Sequence, residues 1–325
     1  MNRYIYIWLD SCQNFRSKVK YSSSEPDWWQ YDGSSTGQAN GYSSEVYLKP
    51  VKIYTDKKQY IVLCETYLAD KTTPHPDNKR WHAEEVFNKG TVKSEDPWYG
   101  FELEFFMIDP KTGLPLGFTS PLPPTQGQFY CSVGAGKCFG RQIMDEFEQL
   151  CLSYNVGIVG SNAEVACGQW EYQIFGKGLT AADDAWVSRY LLDIVAEKHN
   201  VAISWHPKPF LTCNGSGMHL NFSTTAMRDP QLGRKAIAEA VNKLSLKHRE
   251  HIKVYGEHNH LRLTGHHETS SMEVFTCGVG TRNTSIRINQ ETDLNGYGYL
   301  EDRRPASSCN MYSVVSIMAE TILSD

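Results

Sequence analysis

Long apolar runs are missing from this 325-residue chain. None approaches the ~20 residues that a membrane-spanning helix needs. The N-terminal stretch Tyr4 to Leu9 is apolar but stops at Asp10, too short for a signal-peptide core and without a small-residue cleavage site. The nine cysteines include no C-x-x-C pair. An odd count at such spacing suits neither a disulfide framework nor a zinc ribbon, so the expectation is reduced thiols in a cytoplasmic protein. Basic runs interleaved with aromatics are also absent, and the formal net charge is -5. Both argue against a nucleic-acid partner, and the short apolar runs argue against a membrane. No internal repeat, low-complexity tract, Walker A loop or kinase signature set occurs. What remains is an ordinary globular composition, 40% hydrophobic and 21% charged, long enough for one large domain or two unequal ones.

Strand-like runs crowd the first part of the chain: residues 4–9, 15–21, Val46 to Leu48 and Gln59 to Glu65. Thr72-Thr73-Pro74-His75-Pro76 favours an extended linker, which divides the chain at 1–75 and 76–325. Asp77 is a candidate cap for a helix running through Trp81 to Phe87. Ser120 to Gly127 reads as a Pro/Gly-rich loop. Apolar residues then recur at helical spacing at Ile143, Phe147, Leu150, Cys151 and Tyr154, and again at Trp186, Tyr190, Leu191, Ile194 and Val195. A third helix is expected from about Lys235 to Lys253 and a last one after Pro305. The order is α+β, a sheet carrying polar motifs with helices packed behind it.

The chemistry gathers on four stretches. Trp98-Tyr99-Gly100-Phe101-Glu102-Leu103-Glu104-Phe105-Phe106 reads as a buried strand, yet Glu102 and Glu104 project from one face of it. Left alone the two carboxylates repel, and a bound cation removes the conflict; a wet acidic face is the plain alternative. Asn162 to Gln173 suits a hairpin with a two-residue turn at Cys167-Gly168, which would set Glu164 directly opposite Glu171. Asn214-Gly215-Ser216-Gly217 leads into a strand whose polar face holds His219, Asn221 and Ser223. The C-terminal part is rich in arginine, the side chain suited to bidentate capture of carboxylate and phosphate: Arg262, Arg282, Arg287 and Arg303. Five carboxylates (Glu102, Glu104, Glu164, Glu171 and Glu301) with one imidazole suit Mg²⁺ or Mn²⁺ better than zinc. Divalent cations with arginines point to phosphoryl transfer, in which the nucleotide is held by something other than a Walker loop.

These motifs resemble the eukaryotic-type (type II) glutamine synthetase family. Asp32-Gly33-Ser34-Ser35-Thr36, the Glu102/Glu104 strand, Asn162-Ala163-Glu164-Val165 with Gln169-Trp170-Glu171, and Asn214-Gly215-Ser216-Gly217 with His219 all match. Arg262-Leu263-Thr264-Gly265 with His267-Glu268-Thr269, Ser285-Ile286-Arg287-Ile288 and Glu301-Asp302-Arg303-Arg304-Pro305 complete the set, in order along nearly the whole chain. The resemblance implies a small N-terminal β-grasp domain and a larger catalytic α/β domain whose antiparallel sheet carries the metal ligands. It implies ligation of ammonia to L-glutamate at the expense of ATP, through γ-glutamyl phosphate, with two or three divalent cations per active site. Glu104, Glu164 and Glu171 would hold one cation, and Glu102, His219 and Glu301 another. Trp98, Ser223, Arg282 and Arg287 would contact ATP. Asn214, Gly215, Arg262 and Arg303 would orient glutamate. Asp32 would bind ammonium and take its proton, Arg282 would serve catalysis, and Glu268 would lie on a flap that closes over the intermediate.

The resemblance also implies pentameric rings, with two stacked rings, a decamer, as the default. Departures from the family pattern include the short segment between Arg16 and Trp29, the His-rich loop before Arg262, His206 in place of an acid before Pro-Lys-Pro, and Cys167-Gly168 in place of a Pro-containing turn. None touches a proposed ligand. Two other readings stay open: a non-catalytic relative that keeps the fold, and a γ-glutamyl-amine ligase.

Overall fold

Alternation along the first strands decides where they pack. In the computed structural model, which describes residues 1–120 and 122–324, β1 (Asn2–Leu9) sends Tyr4, Tyr6 and Trp8 to one face and Ile5 and Ile7 to the other. The aromatic face closes a small core with Tyr31, Val46, Leu48 and Val62. The aliphatic face, with Tyr54, Ile61 and Leu63, joins the main core of the molecule. The other strands of this sheet are β2 (Phe15–Ser22), β3 (Trp29–Asp32), β4 (Glu45–Asp56) and β5 (Gln59–Tyr67), in the order β2-β1-β5-β4-β3. Only the β1–β5 pair is parallel.

The second sheet is built around β6 (Trp98–Asp109). Phe101, Leu103 and Phe105 are fully buried on its inner face, so Glu102 and Glu104 occupy the outer one. The short β7 (Leu114–Pro115) pairs with β6, as does β10 (Ala202–Ser204) farther along the chain. Beside β6 on one flank come β9 (Gln169–Lys177) and then β8 (Ile158–Ala163); on the other come β11 (Met218–Ser223), β14 (Leu300–Asp302), β13 (Ile286–Ile288) and β12 (Cys277–Val279). All pairs are antiparallel except β12–β13.

Helices surround this sheet, those over 141–153 and 178–198 packing directly on it. They are α1 (Lys79–Asn88), α2 (Gly90–Ser94), α3 (Arg141–Ser153), α4 (Gly178–Lys198), α5 (Thr225–Arg228), α6 (Gly233–Leu246), α7 (His248–Val254), α8 (Gln290–Asn295) and α9 (Met311–Leu323). Two boundaries differ from the sequence reading. Asn78, not Asp77, caps α1, its side chain accepting from the Trp81 N–H. The helix expected over 235–253 breaks at Lys247, where the backbone leaves the helical region. Buried His248 and His251 anchor the second piece: His248 bonds the Met272 carbonyl, and His251 lies between Tyr255 and Thr321. The expected loop from Ser120 to Gly127 contains Pro121, which lies outside the described residues. Among the described residues, no helix is long and apolar enough to cross a membrane.

A buried polar network fixes the small sheet to the large body. Arg80 on α1 reaches Asp183 on α4 (2.8 Å) and Glu65 on β5 (2.8 Å), and Tyr312 on α9 donates to the same Asp183. Nearby, Lys52 and Tyr54 on β4 both bond Asp184. Removing one member would strand the others without compensation, so these contacts hold the register between the two sheets rigidly.

Candidate active site

Strand register arranges the polar face of the large sheet as rungs. Glu104 on β6 is the direct partner of Glu171 on β9, and Glu171 faces Asn162 on β8. One rung along, Glu102 on β6 has His219 on β11 to one side and Gln173 on β9 to the other. Asn221 on β11 pairs with Glu301 on β14, which in turn pairs with Arg287 on β13. Directly opposed side chains start with Cβ atoms ~5 Å apart, so these three short rungs bring four carboxylates and an imidazole together.

The Asn162–Gln173 segment does form a hairpin, but in another register. The β8–β9 pairing ends at Ala163–Trp170. Beyond it the Glu164 N–H donates to the Gln169 carbonyl, and the Gln169 N–H to the Ala166 carbonyl. Cys167-Gly168 is at the tip as expected, with Gly168 at φ +72°, but Glu164 and Val165 belong to the loop. Glu171 therefore opposes Asn162 and Glu104 rather than Glu164. The tip is pinned from outside: a Cβ on Gly168 would lie 2.7 Å from the Leu116 carbonyl oxygen.

One ligand atom each from Glu102, His219 and Glu301 lies within 4.8 Å of the others, and so does one each from Glu104, Glu171 and His219. Glu164 lines, with Glu102, Glu104, Glu171 and His219, a cavity of about 210 Å³. Its carboxylate is turned onto its own loop, accepting from the Val165 N–H (3.0 Å) and the Asn162 amide (3.3 Å). Burial, then the charge of Glu164, raises the Glu104 carboxyl to about 8, against a hydrogen bond from the Gly217 N–H. Burial, then the charges of Glu102, Glu104 and Glu164, raises Glu171 to about 9. Burial also raises Glu164 and pushes His219 well below its ordinary value. Protein cations alone leave this cluster under-neutralised. Hard oxygens with a single neutral imidazole are the donor set of Mg²⁺ or Mn²⁺, so the residues present fit such ions.

The predicted arginines ring the cavity. Arg303 (2.5 Å) and Arg287 (3.1 Å) both pair with Glu301, and the Arg287 Nε is buried without a hydrogen-bond partner among the described residues. Arg262 is 4% exposed and gives its Nη2 to the carbonyls of Arg303, Arg304 and Pro305. Asn214 is held by Gln126 through both its backbone N–H and its side chain. Gly215 has room for no side chain, since a Cβ there would lie 2.5 Å from the Pro207 carbonyl oxygen. Arg282 pairs with Glu268 at 2.8 Å. Glu268 and His267 are consecutive non-glycine residues in the left-handed region, φ +64° and +52°, a conformation costing on the order of 1 kcal/mol each.

Trp98 and Ser223 line a second, mostly apolar cavity of 360 Å³ with Phe175, Val159, Phe222 and Tyr299. Glu102 borders both cavities. Asp32 lines neither within one chain. It is exposed and caps the 3₁₀ turn Gly33–Thr36, accepting from the Ser34 N–H and hydroxyl, and these bonds lower its pKa.

The profile described as "Glutamine synthetase, catalytic domain" matches residues 78–252. The "Glutamine synthetase cytosolic isozyme 1-1" of Oryza sativa subsp. japonica is 43% identical over 98% of this chain and 93% of its own length. A "Putative glutamine synthetase" of Acanthamoeba polyphaga mimivirus is 44% identical over the same shares. The chain belongs to the glutamine synthetase family. A solved structure of apo GmaS shares the fold, with a TM-score of 0.79 at 17% identity over 99% of this chain and 77% of that one.

Around this candidate site, the structure adds residues that the sequence reading left without a role. Arg228 on α5 stacks on Trp98 at 4.0 Å and donates to the Ser223 hydroxyl. Gln169, Tyr130 and Thr269 line the polar cavity. The signal for Arg228 was its place five residues after Ser223, which becomes informative only once the turn between them is known. Tyr130 comes from a loop with no periodic pattern, and nothing in the sequence marks it.

Proposed function

We propose that this chain is a glutamine synthetase, joining ammonia to the γ-carboxylate of L-glutamate with cleavage of ATP to ADP and phosphate. The observation that carries this reading is the junction at Glu102: an apolar slot beside an acidic, arginine-ringed cavity, in a member of this family. The slot walled by Trp98 and Phe222 suits a base, with Ser223 at its edge. Phosphates would then enter past Glu102 toward Arg287 and Arg282. Divalent cations held by Glu102, Glu104, Glu164, Glu171, His219 and Glu301 would supply charge neutralisation for phosphates and carboxylate.

Glutamate would lie against Asn214, Gly215, Arg262 and Arg303, its γ-carboxylate toward the phosphate. Arg303 must then leave Glu301 in part, which a bound cation makes favourable by taking that carboxylate's charge. Arg282 would stabilise the charge on the transferring phosphoryl group. Attack on the acyl phosphate needs neutral ammonia, so a carboxylate must remove a proton from ammonium. Asp32 is the candidate, and its position outside the cavity of its own chain suits contribution from a neighbouring subunit. Pentameric rings, stacked as a decamer, would provide that neighbour. The linker at 72–76 would separate the small sheet from the catalytic part, and a cytoplasmic location accords with the cytosolic isozymes it resembles.

The test is an assay of the purified protein with ATP, glutamate and ammonia, with and without Mg²⁺. Stoichiometric glutamine and phosphate, dependent on all three substrates and the metal, are expected. ATP cleavage without glutamine, or no turnover, would overturn the reading. An active monomer in analytical ultracentrifugation would overturn the assembly part alone.

A further inference from the structure

The carboxylates of the site are held in two different ways. Glu301 is paired with two arginines, Arg287 and Arg303. Among the described residues Glu171 and Glu164 have no such partner and are held instead by neutral amides. Gln173 Nε2 donates to Glu171 and also to the Asn162 Oδ1 at 3.3 Å. Asn162 Nδ2 in turn donates to Glu164 Oε1 at 3.3 Å. The series runs Glu171–Gln173–Asn162–Glu164 from β9 across to β8 and into the hairpin loop. Asn162 accepts at one end and donates at the other, so only one orientation of its amide satisfies both bonds.

The backbone makes room for this series. Gln173 is the register partner of Gly160 on β8, and a Cβ at Gly160 would lie 2.6 Å from Gln173 Oε1. The pairing shifts between Ile158 and Gly160, which delivers the glycine to that place. A bulge and a side-chain-free residue together admit one amide.

We propose that Gln173 and Asn162 are positioning residues that set Glu171 and Glu164 as a single cation-receiving unit, in a slot kept open by Gly160. This rests on the reading of the acidic cavity as a cation site. A neutral donor is the chemistry the task needs: it restricts a carboxylate's rotation while leaving its charge for the ion, whereas lysine or arginine in the same place would discharge it. Gln173 also faces Glu102, where another carboxylate would add to the repulsion.

The measurement is Mn²⁺ binding by the full-length protein, followed by electron paramagnetic resonance of free Mn²⁺ and by calorimetry. Outer partners of metal ligands typically contribute 10–100-fold in affinity. Gln173→Ala and Asn162→Ala are each expected to weaken the tightest Mn²⁺ site by about 10-fold or more, and the double variant to be scarcely weaker than either, because one series is cut twice. Gly160→Ala alters neither amide and should reproduce the loss; it keeps the test open should a polar-to-alanine variant fold poorly, which thermal denaturation reports. Wild-type binding with unchanged affinity in all three variants, or fully additive losses, overturns the relay alone. No Mn²⁺ binding by the wild type overturns the cation site and the relay with it.

Discussion

Glu104 and Glu171 are register partners on adjacent antiparallel strands, Glu171 buried and Glu104 half-buried beside it. Like charges placed so are destabilising unless one is protonated or a cation is shared. Glu171→Gln is therefore expected to stabilise the metal-free protein at neutral pH, by on the order of 1–3 kcal/mol, while abolishing glutamine synthesis. Calorimetry in a chelator and the coupled assay check the two halves. Full activity at saturating Mg²⁺ would remove Glu171 from the cation site.

The same pair predicts an unusual pH dependence. Glu104 and Glu171 have folded-state values of about 8 and about 9, raised from 4.5. Over that window the folded chain holds protons that the unfolded chain has lost, so stability falls as pH rises. The contribution is complete below about 4.5 and gone above about 9. Metal-free wild type should lose more stability than Glu171→Gln between pH 6 and pH 9, because only the wild type carries at residue 171 a proton that is bound when folded and lost when unfolded. Mn²⁺ should flatten the wild-type curve by holding the carboxylates ionised. Parallel curves for the two proteins in chelator would refute the assignment.

Asp32 poses a different question, since its neighbours are its own loop. Its bonds from Ser34 and Ser35 favour the charged form, as a group that holds ammonium requires. Asp32→Ala should raise the apparent KM for ammonia by about 10-fold or more, in line with the loss of a charge-assisted contact, with little change in ATP affinity. A drop in ATP affinity with normal ammonia dependence would give the loop another role.

Much of this site could be read from the chain because period-2 alternation is strong where one face is buried. Phe101, Leu103 and Phe105 at zero exposure force Glu102 and Glu104 outward together, and the His219–Asn221 face follows by the same rule. Register across strands was not legible. Glu164 and Glu171 sit at equal spacing from Cys167-Gly168, while the tip meets partners far away in sequence, the Met107 N–H on the Gly168 carbonyl and the Leu116 carbonyl beside Cys167, and the pairing lies two residues from the symmetric one. The arginines show the same division. Their charge and flanking isoleucines marked them, but that Arg262 spends one nitrogen on three carbonyls depends on how 303–305 turns.

The proposed flap around Glu268 offers the sharpest functional test. Gly265 to Ser270 is closed by the Thr264–Ser271 bridge, and its tip holds His267 and Glu268 in the left-handed region. That conformation is unfavourable for both residues, so contacts must hold it. Thr269 bonds the Arg262 and His266 carbonyls from within the loop, and the Glu268–Arg282 ion pair and a bond from Arg303 to the Glu268 carbonyl tie Glu268 itself to the site. Both arginines belong to the proposed substrate machinery, so substrate that draws on them alters what holds the flap. An acyl phosphate hydrolyses when water reaches it, and a closed lid prevents this until ammonia attacks. Glu268→Ala removes the ion pair but leaves the metal ligands and the apolar slot intact. It should still form γ-glutamyl phosphate and lose part of it to water, so that phosphate release exceeds glutamine formation, whereas the parent yields the two in equal amounts. Measuring both products in one reaction decides the matter. Equal yields from the variant would show that Glu268 does not guard the intermediate.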